Sequence, residues 1–388
     1  MVYRRTKVPD LVWLLIFGVI IGPVLNIIPT EFFRDVSPIV GTISIILITF
    51  DAGVDTTIAK FKEIIKKTSG LTYLTFSFVT LSTGIVSPLI FPQFTFIKGL
   101  ILGTMLGGLS TVAVYGLLEQ ISKILPDLRE VHSMLVLEST IVDPVRIMVA
   151  VSLIKVLVEG DIHYSDTLLR IFSVFLLGSL LGLAAGFFWV AVLHRFEGRR
   201  YNYMLTVSVL FIVYYLAEII FGEGAGTMAS FIFGVTLSNP KRITEEFGFS
   251  PRIEIEEIVS FNKEIAFVLK SYFFVYTGLI VKLNFNLLYT GITLTGLLII
   301  VRFLVSTGVS NILDFKEVEK NVTRLCYPLG TSALVFAQLP LIYDPNKIAI
   351  TNPQIYPNLV FYVVLGSILF YSLIAPIIMK RILKSKKG

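Results

Sequence analysis

Charge, cysteine and histidine are what this chain has least of. Asp, Glu, Lys and Arg make up only 15% of its 388 residues while 55% are hydrophobic, a balance that cannot cover a water-soluble surface. The chain therefore reads as a polytopic membrane protein. Its one cysteine, Cys326, excludes an internal disulfide. Its three histidines, His132, His163 and His194, fall near predicted span ends and are too scattered for a metal site. Neither redox nor zinc chemistry is indicated, and no enzymatic signature is found. The formal net charge of +6 needs no nucleic-acid partner, because basic loops facing anionic lipid headgroups account for it.

What is abundant is apolar sequence in runs of membrane-spanning length, and twelve spans are predicted. The first six are Val8 to Ile28, Ser37 to Phe50, Thr68 to Phe91, Phe94 to Leu118, Val131 to Val158 and Thr167 to Leu193. The second six are Asn202 to Phe221, Gly226 to Ser238, Ile265 to Val281, Phe285 to Ile312, Val322 to Tyr343 and Pro357 to Met379. The spans starting at Ser37 and Gly226 are too short to cross straight unless they extend into polar sequence. The first run follows Arg4, Arg5 and Lys7, is longer than the apolar region of a signal peptide, and reads as a retained helix.

Loop charge tests the count. With the N-terminus inside, the termini and even-numbered loops hold 24 of the 33 Lys and Arg residues, which predicts a multi-pass protein of the cell membrane with both termini cytoplasmic. The whole of 1–388 reads as one transmembrane domain. Its longest polar segment, 239–264, joins spans 8 and 9, and the register of Ile253, Ile255, Ile258, Val259 and Phe261 suggests an amphipathic linker helix on the cytoplasmic face.

Two spans carry helix-disrupting residues at comparable positions in the two halves. Span 4 contains Gly103, Gly107, Gly108, Ser110 and Thr111; span 11 contains Pro328, Gly330, Thr331 and Ser332. Paired interruptions of this kind point to an inverted-repeat transporter with a midplane site formed by half-helix ends. Span 5 adds the run Leu137 to Arg146, in which Glu138, Asp143 and Arg146 lie inside an apolar stretch. Charges at the bilayer centre cost at least about 2.5–3.5 kcal/mol, so such residues line a polar path, bind an ion or proton, or pair with one another.

These residues resemble the sodium/hydrogen exchangers of the monovalent cation/proton antiporter superfamily. The likeness is carried by Lys7-Val8-Pro9 with Gly18 to Pro23, by Thr49-Phe50-Asp51-Ala52-Gly53-Val54, by Gly108 to Val114, and by Glu138-Ser139-x-x-Val142-Asp143. The last is similar to the Glu-Ser-x-x-Asn-Asp signature of the sodium/proton branch. Two departures stand out: the stretch matching the family's Thr-Asp-Pro reads Leu109-Ser110-Thr111 and has no carboxylate, and Val142 replaces the polar residue before Asp143. The resemblance implies an all-α fold of about 12 transmembrane helices in an inverted-repeat, NhaA-like arrangement, with discontinuous spans 4 and 11. It also implies a homodimer.

The chemistry of such a carrier follows from ion preferences. A sodium or lithium ion sheds water only for oxygen ligands, and a proton competes for the same carboxylate, so one acid binds either but not both. Asp143 fits that role, and Ser139, four residues earlier on the same helical face, offers a hydroxyl; these two are the expected sodium ligands. Glu138 lies five residues before Asp143, about 500° of rotation and hence about 140° away, so the two acids should not share a face. Glu138 is therefore expected to reach the ion from the side or to pair with Arg302, a pairing the resemblance implies. Asp51, Ser110 and Thr111 complete the candidate ion and proton ligands, Asp51 on the strength of the resemblance. Arg146 reads as structural, pairing locally or reaching the interface. No cofactor is expected beyond the transported sodium ion and proton, with membrane lipid as the surrounding partner. The leading reading is antiport of sodium, lithium or potassium against protons, electroneutral because one acid serves both ions; a monovalent cation channel or leak through the same polar core is the alternative.

Overall fold

The computed structural model describes residues 10–28, 30–56, 65–110, 113–114, 117–118, 121, 128–160, 164–195, 201–240 and 255–385. Among them every regular element is helical, as expected where lipid leaves no water to satisfy an open strand edge. In chain order the first helices are α1 (Asp10–Val19), α2 (Thr30–Asp55), α3 (Ile65–Ile90), α4 (Phe96–Leu106), α5 (Arg129–Glu159) and α6 (Tyr164–Arg195). There follow α7 (Asn202–Phe221), α8 (Ala225–Ser238), α9 (Ile255–Ile280) and α10 (Phe285–Ile312). The C-terminal part holds α11 (Glu317–Arg324), α12 (Thr331–Phe336), α13 (Leu339–Tyr343), α14 (Ile355–Leu369) and α15 (Ala375–Ser385), with a π turn at Phe370–Ile374 joining the last two.

Among the described residues, five helical stretches are long and apolar enough to cross a membrane: Ile65–Ile90, Phe172–Arg195, Asn202–Phe221, Phe285–Ile312 and Ile355–Ile382. Their outward faces are apolar. Phe78, Leu81 and Ile85 on α3, Leu176 and Leu180 on α6, and Ile212, Tyr215 and Ile219 on α7 are exposed, while Glu138, Asp143, Arg146 and Arg302 are buried. That distribution inverts the soluble pattern, as lipid demands.

The two spans of doubtful length resolve differently. α2 reaches back into polar sequence and attains 26 residues, whereas α8 stops at 14. α8 is instead enclosed by protein through small residues. A Cβ at Gly53 on α2 would lie 2.1 Å from the Phe231 carbonyl oxygen, and one at Gly182 on α6 would lie 2.4 Å from that of Ala229, so both neighbours touch the α8 backbone. α1 and α9 meet in the same way: a Cβ at Gly18 would stand 2.2 Å from Val275 O and one at Gly278 2.3 Å from Leu15 O.

The linker differs from its sequence reading. Residues 241–254 lie outside the described residues, but Ile255 to Glu264, expected in a separate surface helix, form the first turns of α9. No Gly or Pro interrupts that stretch, and Asn262 within it is buried. A charged cluster ties the ends of α3, α5 and α11 together. Lys67 Nζ lies 3.1 Å from Glu319 Oε2, Lys316 Nζ donates to Glu130, and that bond holds the Glu130 carboxyl, which precedes the predicted span at Val131, below its ordinary range.

The glycine contacts make a direct prediction. Gly278→Ala places a methyl group against the α1 backbone and should lower the unfolding temperature in detergent by several degrees, in line with about 1–3 kcal/mol for overpacking. Gly296→Ala on α10, where a Cβ meets nothing within 4 Å, should leave it unchanged or slightly higher.

Candidate functional site

The site begins where helix stops. α4 ends at Leu106, Gly107 to Ser110 carry no helix, and helical residues reappear at Ala113; on the other side, Cys326 to Gly330 are non-helical between α11 and α12. The two irregular segments cross in contact. Ser110 N donates to Pro328 O at 2.8 Å, and Leu329 N donates to the Ser367 hydroxyl at 3.1 Å. Gly330 is required at the crossing, since a Cβ there would lie 2.3 Å from Ser110 Oγ. Non-helical backbone at this depth is tolerated because protein, not lipid, surrounds it.

At the end of α4 the Thr104 carbonyl accepts a long 3.4 Å bond from Gly107 N, and Arg146 of α5 binds both it and the Met105 carbonyl. Its Nε donates to Thr104 O at 3.0 Å and its Nη2 to Met105 O. Its Nη1 donates to Asp143 Oδ1 at 2.6 Å and to Ser332 Oγ at 3.3 Å, the latter at the start of α12. The guanidinium carbon stands 4.7 Å from the centroid of the Phe336 ring. A fully buried cation is thus held by one carboxylate, two helix-end carbonyls and one hydroxyl, with the negative end of the α4 dipole adding to the attraction. Gly108 makes the room, as a Cβ there would lie 2.6 Å from Nη1. Arg146 does not reach the interface; the sequence signal was its position three residues after Asp143, but its backbone partners on α4 carry no residue-type signature.

Glu138 faces elsewhere, as the helical rotation requires. Arg302 on α10 grips it with both terminal nitrogens, Nη1 to Oε1 at 2.5 Å and Nη2 to Oε2 at 2.9 Å. Arg302 also donates from Nε to Thr323 O at 2.7 Å and from Nη1 to Thr75 Oγ1 at 3.3 Å. Glu138 and Arg302 are 2% and 0% exposed in their side chains, so the pair is desolvated on every side. Tyr327 connects this cluster to the first, its ring 5.1 Å from the Arg302 guanidinium and its hydroxyl donating to Leu106 O at 3.2 Å.

The other candidates are distributed around these two clusters. The Ser139 hydroxyl donates back to Val136 O of its own helix at 2.8 Å. Ser110 is buried at the crossing, and Thr111 lies outside the described residues. Asp51, near the end of α2, accepts from Asn262 Nδ2 of α9 at 3.1 Å, and the same amide approaches Leu47 O at 3.5 Å. Asn262, Thr75 and Thr323 were not singled out from sequence, Asn262 because it falls in the segment read as a polar linker, and Ser332 was noted only as a break residue of span 11.

With this geometry in place, comparison with known proteins is informative. The family model described as "Sodium/hydrogen exchanger, transmembrane" matches residues 1–385. The "Probable Na(+)/H(+) antiporter 2" of Methanocaldococcus jannaschii is 25% identical over 282 residues, covering 71% of this chain and 64% of its own length. The "K(+)/H(+) antiporter NhaP2" of Shewanella baltica is 25% identical over 338 residues, 85% of this chain and 55% of the relative. The chain thus spans somewhat over half the length of these relatives. Among solved structures, the sodium proton antiporter MjNhaP1 of Methanocaldococcus jannaschii at pH 8 superposes with a TM-score of 0.80 at 21% identity, over 97% of this chain and 94% of that one. That likeness shows the fold.

The buried pair yields a measurable coupling. Glu138→Gln or Arg302→Met alone should cost about 3–5 kcal/mol, because each leaves an uncompensated buried charge, and the double substitution should cost less than the sum. Thermal unfolding of the three variants in detergent reads it; strictly additive losses would exclude a direct coupling.

Proposed function

The chain belongs to the transmembrane sodium/hydrogen exchanger family, and from that premise we propose that it is a secondary carrier exchanging a monovalent cation, sodium first, for protons across the cell membrane. The observation that carries the reading is a buried aspartate, Asp143, paired with Arg146, whose guanidinium reaches the end of α4 and the start of α12 beside the two crossing non-helical segments. Such a place supplies oxygen ligands in protein-lined space without exposing irregular backbone to lipid. In this reading Asp143 takes sodium and proton in turn, Ser139 and Ser110 lend oxygens with Thr111, and Glu138 with Arg302 holds the carrier core together. Asp51, already bonded to Asn262, serves at the cytoplasmic side.

The architecture that goes with it has twelve spans, the fourth and eleventh discontinuous, in two inverted repeats with both termini cytoplasmic. α4 and the helical residues beyond Ser110 form the fourth span, and α11, α12 and α13 form the eleventh. Alternating access then exposes Asp143 to either side in turn, within a homodimer. The expected readout is sodium-driven proton movement in proteoliposomes, abolished in Asp143→Asn while that variant stays folded in the membrane. Normal exchange by Asp143→Asn would remove the assignment, and single-channel current would turn the reading to a channel.

Stoichiometry follows from the count of titrating acids. Glu138 is committed to a bidentate guanidinium, and Val142 has no ionisable group, so in this reading one carboxylate serves both ions and each cycle carries no net charge. Electroneutral one-for-one exchange is the expected outcome. Clamping the potential at zero and then at about 100 mV discriminates, since each net charge moved contributes roughly 2.3 kcal/mol to the equilibrium gradient. A voltage-dependent sodium gradient would require a second titrating group, with Asp51 the first to test.

A further inference from the structure

The guanidinium of Arg146 sits in surroundings with the composition of a cation site. Around it are Asp143 Oδ1 at 2.6 Å, Thr104 O at 3.0 Å, Ser332 Oγ at 3.3 Å and Met105 O. One carboxylate, two main-chain carbonyls at the end of α4 and one hydroxyl are the oxygen types that replace the hydration shell of a hard monovalent cation. The formal charge of this shell is that of one carboxylate, enhanced by the negative end of the α4 dipole. It satisfies one cation, and Arg146 is that cation.

The arrangement is more than a surface arginine folded inward. Arg146 is 0% exposed, its ring neighbour Phe336 closes one face, and Gly108 is shaped around its Nη1 and Cδ, where a Cβ would come within 2.6 and 2.9 Å. A free sodium ion sharing Asp143 with this guanidinium would face a second positive charge at contact distance in a desolvated place. Two cations and one carboxylate do not balance there.

We propose that Arg146 is a tethered occupant of the cation site: its guanidinium and a free monovalent cation are alternatives at Asp143, so the transported ion binds only when the side chain leaves the Thr104 and Met105 carbonyls. The inference rests on the reading of Asp143 as the ion-carrying acid. It makes Arg146 an affinity-setting residue, which lowers the occupancy of the site by sodium without contributing a ligand. A purely structural cap predicts the opposite: removing it would loosen the end of α4 and weaken sodium binding.

Sodium binding can be read without transport. The purified full chain in detergent is titrated with sodium chloride, choline chloride keeping ionic strength constant, and the sodium-dependent rise in unfolding temperature gives a midpoint. Arg146→Met keeps an unbranched apolar stem, and Arg146→Gln keeps a hydrogen-bonding end. Each should lower the sodium midpoint at least tenfold relative to the unsubstituted chain, and the gain should vanish in the Asp143→Asn, Arg146→Met double variant. An unchanged or higher midpoint in both overturns the proposal. So does failure of both to yield folded protein at any sodium concentration, because an occupant that must leave cannot be indispensable to the fold. The result is separable from the exchange reaction itself. If the unsubstituted chain moves no protons on sodium addition yet the Arg146 variants gain the site, tethered occupancy holds and the antiport reading fails. If it exchanges normally and the midpoints do not move, the reverse is true.

Discussion

Every other feature of the interior depends on how α4 ends. Stopping a helix inside a membrane leaves main-chain carbonyls that neither lipid nor water can satisfy, each a cost of several kcal/mol. In this chain Arg146 takes up those of Thr104 and Met105, the first shared with Gly107 N at 3.4 Å, and Tyr327 takes up that of Leu106. Arg146 in turn needs a counter-charge, which Asp143 supplies one turn away on the same helix. Tyr327 lies in the other irregular segment, whose Pro328 carbonyl accepts from Ser110. The break, the buried aspartate and the crossing of the two chain segments are therefore linked to one another through Arg146 and Tyr327.

α5 serves two clusters because its charged residues point in different directions. The five-residue step from Glu138 to Asp143 turns the second acid about 140° from the first, and the structure gives them different partners: α10 for Glu138, α4 and α12 for the Asp143 and Arg146 pair. The two guanidiniums are used differently. Arg302 commits both terminal nitrogens to a single carboxylate, the geometry of a fixed strut. Arg146 divides its donors among four oxygens on three helices, and only one of those oxygens is charged. A side chain so divided loses its contacts one at a time, which suits a group that moves more than one that locks.

Much of this was legible before any coordinates. Asn202–Phe221 and Phe285–Ile312 coincide with their apolar runs to the residue, because polar sequence or a Gly bounds each run sharply. The glycines of span 4 and the Pro-x-Gly of span 11 marked where helix would stop, and the buried acids were evident from their setting. What escaped was whatever depends on backbone atoms. No residue type announces that Thr104 and Met105 will offer carbonyls to Arg146, so a cation three residues from an acid read as a local pair or an interfacial residue. The short run at Gly226 likewise looked inadequate because sequence alone does not show that Gly53 and Gly182 bring two neighbours onto its backbone. The polar stretch before Ile265 looked like a linker because composition does not register that Asn262 is buried against Asp51 and Leu47.

The two departures from the exchanger signature acquire a common physical meaning in this geometry. Where the family pattern has a carboxylate after the break in span 4, this chain has Ser110 and Thr111, and where it has a polar residue before the aspartate, this chain has Val142. One change removes a carboxylate from the segment that crosses Pro328, and the other removes a polar side chain next to Asp143 in the sequence. Val142 packs instead toward Gly108, its Cγ1 2.9 Å from where a Cβ would stand. Asp143 alone balances one positive charge, not two, and Arg146 already provides one. The missing carboxylate and the resident guanidinium are thus compensating rather than independent features. Restoring an acid in span 4 while keeping Arg146 would return the region to a charge at which a second, mobile cation is tolerated.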